Sequence, residues 1–328
     1  MKFIKIGAAL AASLAGLCLA QPASAATNWK LATGYRAESF HPQNVAQFAR
    51  GVGVASNGQL TIEVFPNNTL AKLADISQAV RDGKAQAGGT IMTSMVKDMP
   101  IAGADSVPLV VSTYSDAQRL WKLQRPGIEK HFAERGMKLL YAVPWPPQGL
   151  HSSKPIRSLA DFKGTQMRTY NATTLRIAEL LGAKPVDVPM VDIGKALSEG
   201  RMDNMITSAL TGVENKVWGQ IKYYYYEINA WFPKNVVFVN TKAFDLLRPD
   251  TRAAVLKAAT DSETRGWAAS QALATGATEK LRANGVKIER IPVDVDAEIK
   301  RMGEKFSREW VRSVGNEANT IFVPYYLK

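Results

Sequence analysis

The strongest constraint on the fold is a stretch of fifty residues, 163–212, in which short apolar strands alternate with helices. Apolar residues at helical spacing predict helices over 173–181 and 192–200, with Gly182 and Gly200 at their C-terminal ends. The segments between and around them read as three short strands, at 166–168, 186–188 and 205–209. Strands that alternate with helices predict a parallel sheet with crossover connections, in which ligands bind beyond the carboxyl ends of the strands.

The N-terminal third has the same alternation. Strands are predicted at 29–33, 60–65 and 85–93, with helices at 43–56 and 73–82 between them. Two such units in 328 residues predict two α/β lobes around a cleft. The proline-rich segment 145–149 (WPPQG) predicts a crossing between the lobes or a rigid pocket wall. The remaining predicted elements are helices at 115–124, 127–135, 213–226, 249–256, 260–282 and 295–314, and strands at 139–143, 235–240 and 287–291.

The first 25 residues have the features of a secretory signal. Lys2 and Lys5 precede an apolar run of small residues, and Ala23-Ser24-Ala25 forms a cleavage site before Ala26. The apolar run is short for a membrane anchor. Cleavage removes Cys18, the only cysteine, so the mature chain is predicted to be periplasmic and to have no disulfide or thiol chemistry.

Composition argues for binding rather than catalysis. The formal net charge is +12, but the basic residues are scattered and the chain is predicted to be exported, which disfavours nucleic acid as a partner. The sequence has no G-x-S-x-G, H-E-x-x-H or Walker motif, and only His41, His131 and His151 as histidines. We therefore expect no catalytic residues, no metal and no cofactor.

Several segments resemble one family of receptors. They are KLATGY at the start of the mature chain, WPPQGLHSSKPIRSLADFKGTQMRTYNATT, RMDNMITSALTG and NAWFPKNVVFVN. The similarity, most specific in the KPI..LAD.KG…R..N block, is to the DctP-like solute receptors of tripartite ATP-independent periplasmic (TRAP) transporters. The resemblance implies a two-lobed periplasmic binding protein fold with a long lobe-spanning helix. It places lobe I at 26–145 plus 234–273 and lobe II at 146–233 plus 274–328.

The resemblance also implies that Arg168, which ends the strand after Lys163-Gly164, forms a bidentate salt bridge with the carboxylate of the ligand. A planar guanidinium matches a carboxylate, and the pair is strong once lobe closure removes water. The alternative is an arginine that pairs with Asp187 or another acid of the protein. Asn171 matches a pocket asparagine of the family, and it is equally well placed to cap the following helix.

Departures from relatives predict the ligand class. Sialic acid receptors carry a second arginine where this chain has Gln148, an asparagine at Thr207 and an acid near Ile91. With Trp145 and Met190 as further apolar wall, the cleft is predicted to hold one cation. We therefore expect an aromatic, hydroxy or keto monocarboxylate rather than a C4-dicarboxylate or sialic acid, because a second carboxylate would be buried without a partner.

Other aromatic residues have two interpretations. Trp231 and Phe232 either line the cleft or pack in a core, Asn235 either contacts the ligand or begins a strand, and the tyrosines 223–226 pack on a helix end or stack on a sugar. The full predicted ligand-binding set is Arg168, Gln148, Asn171, Thr207, Trp145, Tyr170, Ser208, Met190, Ile91, Trp231, Phe232, Asn235 and Tyr35.

The predicted function is therefore a monomeric periplasmic receptor that binds a small carboxylate and delivers it to the small and large membrane subunits of a TRAP transporter. Four alternatives stay open from the sequence: a C4-dicarboxylate receptor of the same type, a periplasmic enzyme on the same scaffold, a receptor coupled to a sensor, and a sugar-binding receptor that uses stacked aromatics.

Overall fold

The structure is a computed structural model that describes residues 26–108, 110–226, 228 and 231–327. The predicted signal peptide lies outside these residues. The strands are β1 (Thr27–Thr33), β2 (Leu60–Phe65), β3 (Ala87–Ile91), β4 (Met137–Pro144), β5 (Gln148–Ser152), β6 (Gln166–Thr169), β7 (Lys184–Asp187), β8 (Asn204–Ser208), β9 (Tyr223–Tyr225), β10 (Lys234–Asn240) and β11 (Lys287–Glu289). The α-helices are α1 (Phe40–Ala55), α2 (Ile76–Arg81), α3 (Tyr114–Glu134), α4 (Ala172–Leu180), α5 (Ile193–Ser198), α6 (Ala209–Glu214), α7 (Thr241–Asp245), α8 (Pro249–Ala283), α9 (Val293–Val314) and α10 (Asn316–Tyr326).

The strands form two sheets. The first has the order β2-β1-β3-β10-β4 and the second the order β11-β9-β5-β8-β6-β7. The βαβ units form parallel pairs, as the alternation predicts, but β10 runs antiparallel to β3 and β4, and β5 runs antiparallel to β8 and β9. These two strands follow the points where the chain passes from one sheet to the other, so each enters its sheet in the opposite direction.

The two crossings lie side by side. Trp145 N donates to Pro233 O over 2.8 Å, and Gln148 N donates to Trp231 O over 3.1 Å. The segment between β4 and β5 is thereby tied to the segment that leads into β10. The crossing predicted at 145–149 is present, and its backbone is held on both sides of Pro146-Pro147.

Helix α8 joins the two halves. It packs on α1 and β4 of the first sheet and on α6 and β11 of the second. At 35 residues it is about 52 Å long. One hydrophobic cluster follows it from Val255 and Ala258 near the first sheet to Ala277 and Leu281 near the second.

Several predicted boundaries were wrong. The helix predicted over 213–226 is absent: α6 ends at Glu214, and the tyrosines of β9 form a strand in which Tyr224 packs on His151. The helices predicted at 115–124 and 127–135 are one helix, α3, with Pro126 inside it. The two helices predicted within 249–282 are likewise one continuous helix, α8.

The lobe boundaries stay a prediction. One set of contacts argues for a revision, because α10 packs on α3, and Ile321 and Phe322 belong to the hydrophobic cluster of the first sheet. We therefore favour counting 316–326 with lobe I rather than with lobe II. None of the helices in the described ranges is long and apolar enough to cross a membrane.

Two glycines of α8 give a matched test of its packing. A Cβ on Gly266 would overlap both methyl carbons of Val143 in β4, whereas a Cβ on Gly276 would meet nothing. We expect Gly266→Ala to lower the free energy of unfolding by about 1–3 kcal/mol through overpacking. Gly276→Ala should raise it by about 0.5–1 kcal/mol, because alanine favours the helix. Urea titrations measure both, and equal effects at the two sites would contradict close packing of α8 on β4.

Candidate functional site

A cavity of about 760 Å³ lies between the two sheets. Its size is within the range of small-molecule sites. Tyr35 follows β1, Ile91 ends β3, Arg168 lies in β6 and Thr207 lies in β8, so the cavity is at the carboxyl ends of parallel strands, as predicted. Nine members of the predicted set line it: Tyr35, Ile91, Trp145, Gln148, Arg168, Tyr170, Asn171, Met190 and Thr207.

Arg168 is the buried cation of this cavity. Only 3% of the residue is exposed, its Nε donates to Val188 O over 2.8 Å, and its guanidinium carbon lies 4.6 Å from the ring centre of Tyr170. In the described part of the chain no carboxylate lies within 4.0 Å of its nitrogens, and Asp187, the alternative partner, is exposed. Burial lowers the pKa of Arg168 to about 10, which leaves the guanidinium charged at neutral pH.

A second buried cation has a different environment. Lys234 and Asp105 are both fully buried, and Nζ of the lysine lies 3.5 Å from Oδ2 of the aspartate. The backbone N of Lys234 also donates to Oδ2 over 2.8 Å. This chain therefore supplies a carboxylate to a buried lysine beside the crossing, but supplies none among the described residues to Arg168.

A polar wall surrounds Arg168. The hydroxyl of Tyr170 donates to Gln148 Oε1 over 3.4 Å, and Gln148 Nε2 donates to Pro146 O over 2.8 Å. Burial raises the pKa of Tyr170 to about 12, so its hydroxyl keeps its proton at neutral pH. The wall thus combines one charged donor with neutral hydrogen-bonding groups.

Asn235 supports this wall from behind and does not line the main cavity. Its Oδ1 accepts a hydrogen bond from Trp145 Nε1 at 2.9 Å and one from Tyr35 OH at 3.4 Å. The rings of Tyr35 and Trp145 meet edge to face with centres 5.5 Å apart. Asn235 lies within β10, in agreement with the prediction that it belongs to a strand. Its side-chain amide holds the two aromatic residues of the wall, Tyr35 and Trp145, in place.

Asn171 both lines the cavity and caps the following helix, which were its two predicted positions. Its Oδ1 accepts from Thr174 N over 2.9 Å, which caps α4, and its side chain lines the cavity. Its Nδ2 donates to Thr93 Oγ1 over 3.3 Å, across the cavity from the first sheet. A second contact between the halves is made by Arg36, whose guanidinium donates to the carbonyl oxygens of Val191 and Glu214.

Three further predicted residues do not line the cavity. Ser208 caps α6 by accepting from Thr211 N over 3.1 Å. Trp231 is buried in the hydrophobic cluster of the second sheet, and Phe232 packs edge to face on Tyr114 of α3 with ring centres 5.0 Å apart. Of the two predicted alternatives, both aromatic residues pack in a core, because helices cover the crossing that they occupy on either side. The tyrosines of β9 do not line the cavity either.

Sequence reasoning missed the residues that loops bring to the cavity. Lys72 is the most important, because it adds an exposed cation at the rim and corrects the expectation of a single positive charge. Most of these residues follow β2, β3 or β7, whereas Thr211 lies in α6 and Pro233 in the second crossing. A search past the end of every predicted strand could have found most of them. The missed residues other than Lys72 are Asn68, Leu73, Ala74, Thr93, Ser94, Asp187, Pro189, Val191, Asp192, Thr211 and Pro233.

The cavity lining offers little for covalent or metal chemistry. Its described lining contains no histidine or cysteine, and the described residues contain no group of three or more His, Cys, Asp or Glu that could hold a metal ion. His41 and His151 are buried behind the wall, with the ring of His41 centred 4.3 Å from that of Trp145. What the arrangement can do is bind an anion and desolvate it.

Comparisons with known proteins agree on a single family. The model of DctP, bacterial extracellular solute-binding protein family 7, matches residues 32–313. The structure of DctP6, a Bordetella pertussis extracytoplasmic solute receptor binding pyroglutamic acid, is 35% identical with a TM-score of 0.89, covering 92% of this chain and 100% of that chain.

Two further relatives come from other sources. A marine metagenome TRAP solute binding protein specific for pyroglutamate, in complex with co-purified pyroglutamate, is 33% identical with a TM-score of 0.89, over 92% of this chain and 99% of that chain. The 2,3-diketo-L-gulonate-binding periplasmic protein of Escherichia coli is 23% identical over 261 residues, which are 76% of this chain and 77% of the relative.

The two histidines behind the wall predict how stability depends on pH. Burial lowers the pKa of both His41 and His151 to about 3, whereas histidines of an unfolded chain bind a proton near pH 6.5. The unfolded state therefore binds more protons between these values, and stability falls as the pH falls through this window. We expect each histidine to remove about 2 kcal/mol of unfolding free energy between pH 7 and pH 5.

The variant His41→Phe tests this expectation. The rings of Phe40 and Trp145 pack against His41, so phenylalanine suits this position. Nε2 of His41 has no hydrogen-bond partner among the described residues, so the substitution breaks no bond of that atom. Urea titrations at pH 7 and pH 5 should give the variant a pH-dependent loss about 2 kcal/mol smaller than that of the natural protein. An unchanged loss would mean that His41 is protonated in the folded protein.

Proposed function

We propose a ligand and a role for this chain from the premise that it belongs to family 7 of the bacterial extracellular solute-binding proteins, the DctP family. The family resemblance and the two-lobed α/β fold are confirmed, and so is the general part of the predicted function, a TRAP receptor for small organic acids. The chain is a TRAP solute receptor for small organic acids. We propose further that it acts in the periplasm after loss of residues 1–25, as a monomer, and without enzymatic activity.

The proposed ligand is pyroglutamate or a closely similar small monocarboxylate. The observation that carries it is Arg168, a buried cation that has no protein carboxylate within ion-pair distance in the described ranges. Two relatives at 33% and 35% identity bind pyroglutamate, a cyclic monocarboxylate. Neutral polar groups such as Gln148 and Asn171 suit the uncharged remainder of such a ligand.

The proposed mechanism needs no covalent step. Lobe closure moves the bound acid out of water, where a bidentate contact between its carboxylate and Arg168 is strongest. The two crossings and α8 are the connections about which the lobes move. The closed receptor then delivers its ligand to the small and large membrane subunits of a cognate TRAP transporter.

A dicarboxylate ligand is the second candidate, and Lys72 is the observation that favours it. This cation at the rim of the cavity is able to meet a second carboxylate while that group stays hydrated.

Thermal denaturation with a panel of acids separates these candidates. We expect L-pyroglutamate, at a hundredfold its dissociation constant, to stabilise the protein by about 2.7 kcal/mol, which raises the melting temperature by a few degrees. Succinate, malate and uncharged sugars should give no shift. Shifts with dicarboxylates alone would overturn the proposed monocarboxylate, and a shift with neutral sugars alone would overturn the role of a cation.

The variant Arg168→Met tests the contact itself. Loss of the cation leaves the carboxylate of the ligand buried without a partner, so we expect calorimetry to give at least about a hundredfold weaker pyroglutamate binding. The melting temperature of the ligand-free variant should change little, because removal of a costly unpaired buried charge offsets loss of the hydrogen bond to Val188 O. Arg201→Met is the matched control, since Arg201 is exposed and pairs with Glu199 outside the cavity.

Unchanged affinity in Arg168→Met would exclude this residue from the site. Equal losses of affinity in both variants would indicate a general effect of net charge instead. A large fall in the melting temperature of ligand-free Arg168→Met would show that the contacts of the arginine stabilise the fold by more than its unpaired charge costs, and would contradict the proposed role.

A further inference from the structure

The amide of Gln148 has a fixed orientation. Nε2 donates to Pro146 O over 2.8 Å, and a proline carbonyl oxygen only accepts hydrogen bonds. The nitrogen of the amide must therefore face Pro146, and the oxygen must face away from it. The residue is 3% exposed, and its backbone N is held by Trp231 O. A flip of the amide would bring two oxygens together, so the packing maintains this orientation.

Among the described residues, the oxygen of this amide meets one donor. Tyr170 OH donates to Oε1 over 3.4 Å, which is long for a hydroxyl donor. An amide oxygen has two lone pairs, so Oε1 keeps the capacity to accept a further hydrogen bond. Because Gln148 and Tyr170 both line the cavity, a bound molecule is the available source of that donor.

Tyr170 also relates this acceptor to the buried cation. The guanidinium carbon of Arg168 lies 4.6 Å from the centre of the tyrosine ring, and the hydroxyl of the same ring contacts Gln148 Oε1. Tyr170 thus contacts both Arg168 and Gln148 Oε1. A ligand carboxylate bound to Arg168 would therefore lie near Oε1, which is a hydrogen-bond acceptor. Repulsion makes this acceptor unsuitable for a second carboxylate or a ring oxygen.

We propose that Gln148 Oε1 is the specificity-determining acceptor of this receptor and selects acids that carry a hydrogen-bond donor, N–H or O–H, close to the carboxylate. The inference rests on the proposed function and deepens it. It names the ligand class as monocarboxylates with such a donor, of which the lactam pyroglutamate is the case tested. It excludes keto and aromatic acids that have no such donor, although the sequence alone favoured them.

A matched pair of ligands tests the inference without any mutation. L-Pyroglutamate and (S)-5-oxotetrahydrofuran-2-carboxylate share their shape and charge, but the second has a ring oxygen in place of the N–H. We expect calorimetry with the natural protein to give about tenfold to a hundredfold weaker binding of the lactone. The variant Gln148→Met, which has no amide oxygen, should reduce this ratio to within about threefold. Gln220→Met, which removes an exposed glutamine outside the cavity, should leave the ratio unchanged.

The outcomes distinguish a failure of the proposed ligand from a failure of the proposed role of Gln148. If lactam and lactone bind equally to the natural protein, the monocarboxylate receptor stands and the role of Gln148 is overturned. A preference for the lactam over the lactone that persists in Gln148→Met also overturns the role of Gln148, because another residue must then accept the hydrogen bond from the N–H. Failure of both ligands to bind overturns the proposed ligand together with this inference. If Gln148→Met does not fold, the ligand pair on the natural protein still decides whether an N–H is read.

Discussion

The interaction on which this structure depends is one that the ligand-free protein cannot make by itself. Arg168 holds a positive charge inside the cavity, and no carboxylate of the described residues lies within ion-pair distance of it, although the exposed Asp187 lines the same cavity. Burying an unpaired charge is expensive, whereas a partner with good geometry offsets much of the cost. The same chain pairs the buried Lys234 with Asp105 a short distance along the crossing. This contrast is the reason for proposing that Arg168 binds the carboxylate of a ligand.

The rest of the wall is oriented by groups whose polarity is fixed. A proline carbonyl orients Gln148, a backbone N–H orients Asn171, and an indole N–H orients Asn235. Each amide therefore presents a defined atom to its surroundings. Such a wall loses little entropy when it binds, because its side chains are ordered beforehand. The crossings supply this order, since the backbone of the first is hydrogen-bonded to that of the second.

Much of this arrangement could be predicted from the sequence. Alternating helices and strands gave the α/β units, and Arg168 with eight other predicted residues lines the cavity. The helix predicted over 213–226 failed because a short apolar run fits either period, and tyrosines favour strands once neighbours are available. Trp231 and Phe232 belong to cores because helices of both halves cover the crossing, which is a tertiary effect. Lys72 was not predicted to line the cavity, because its loop reaches the cavity only through the tertiary fold.

A receptor must also release what it binds, and the proposed site has a physical means to do so. Hydrogen bonds bridge the halves near the cavity: Asn171 to Thr93, Arg36 to the carbonyl oxygens of Val191 and Glu214, and the backbone N of Phe40 to the carboxylate of Glu214. The first is worth about 0.5–1.5 kcal/mol and those with a charged partner about 1.5–3 kcal/mol, so opening the lobes breaks a few links of modest strength. Once water enters, the pair between Arg168 and a carboxylate becomes an exposed ion pair worth about 0–1 kcal/mol. The same contact is therefore strong in the closed cavity and weak in the open one, so lobe opening, rather than any change in the ligand, accounts for release.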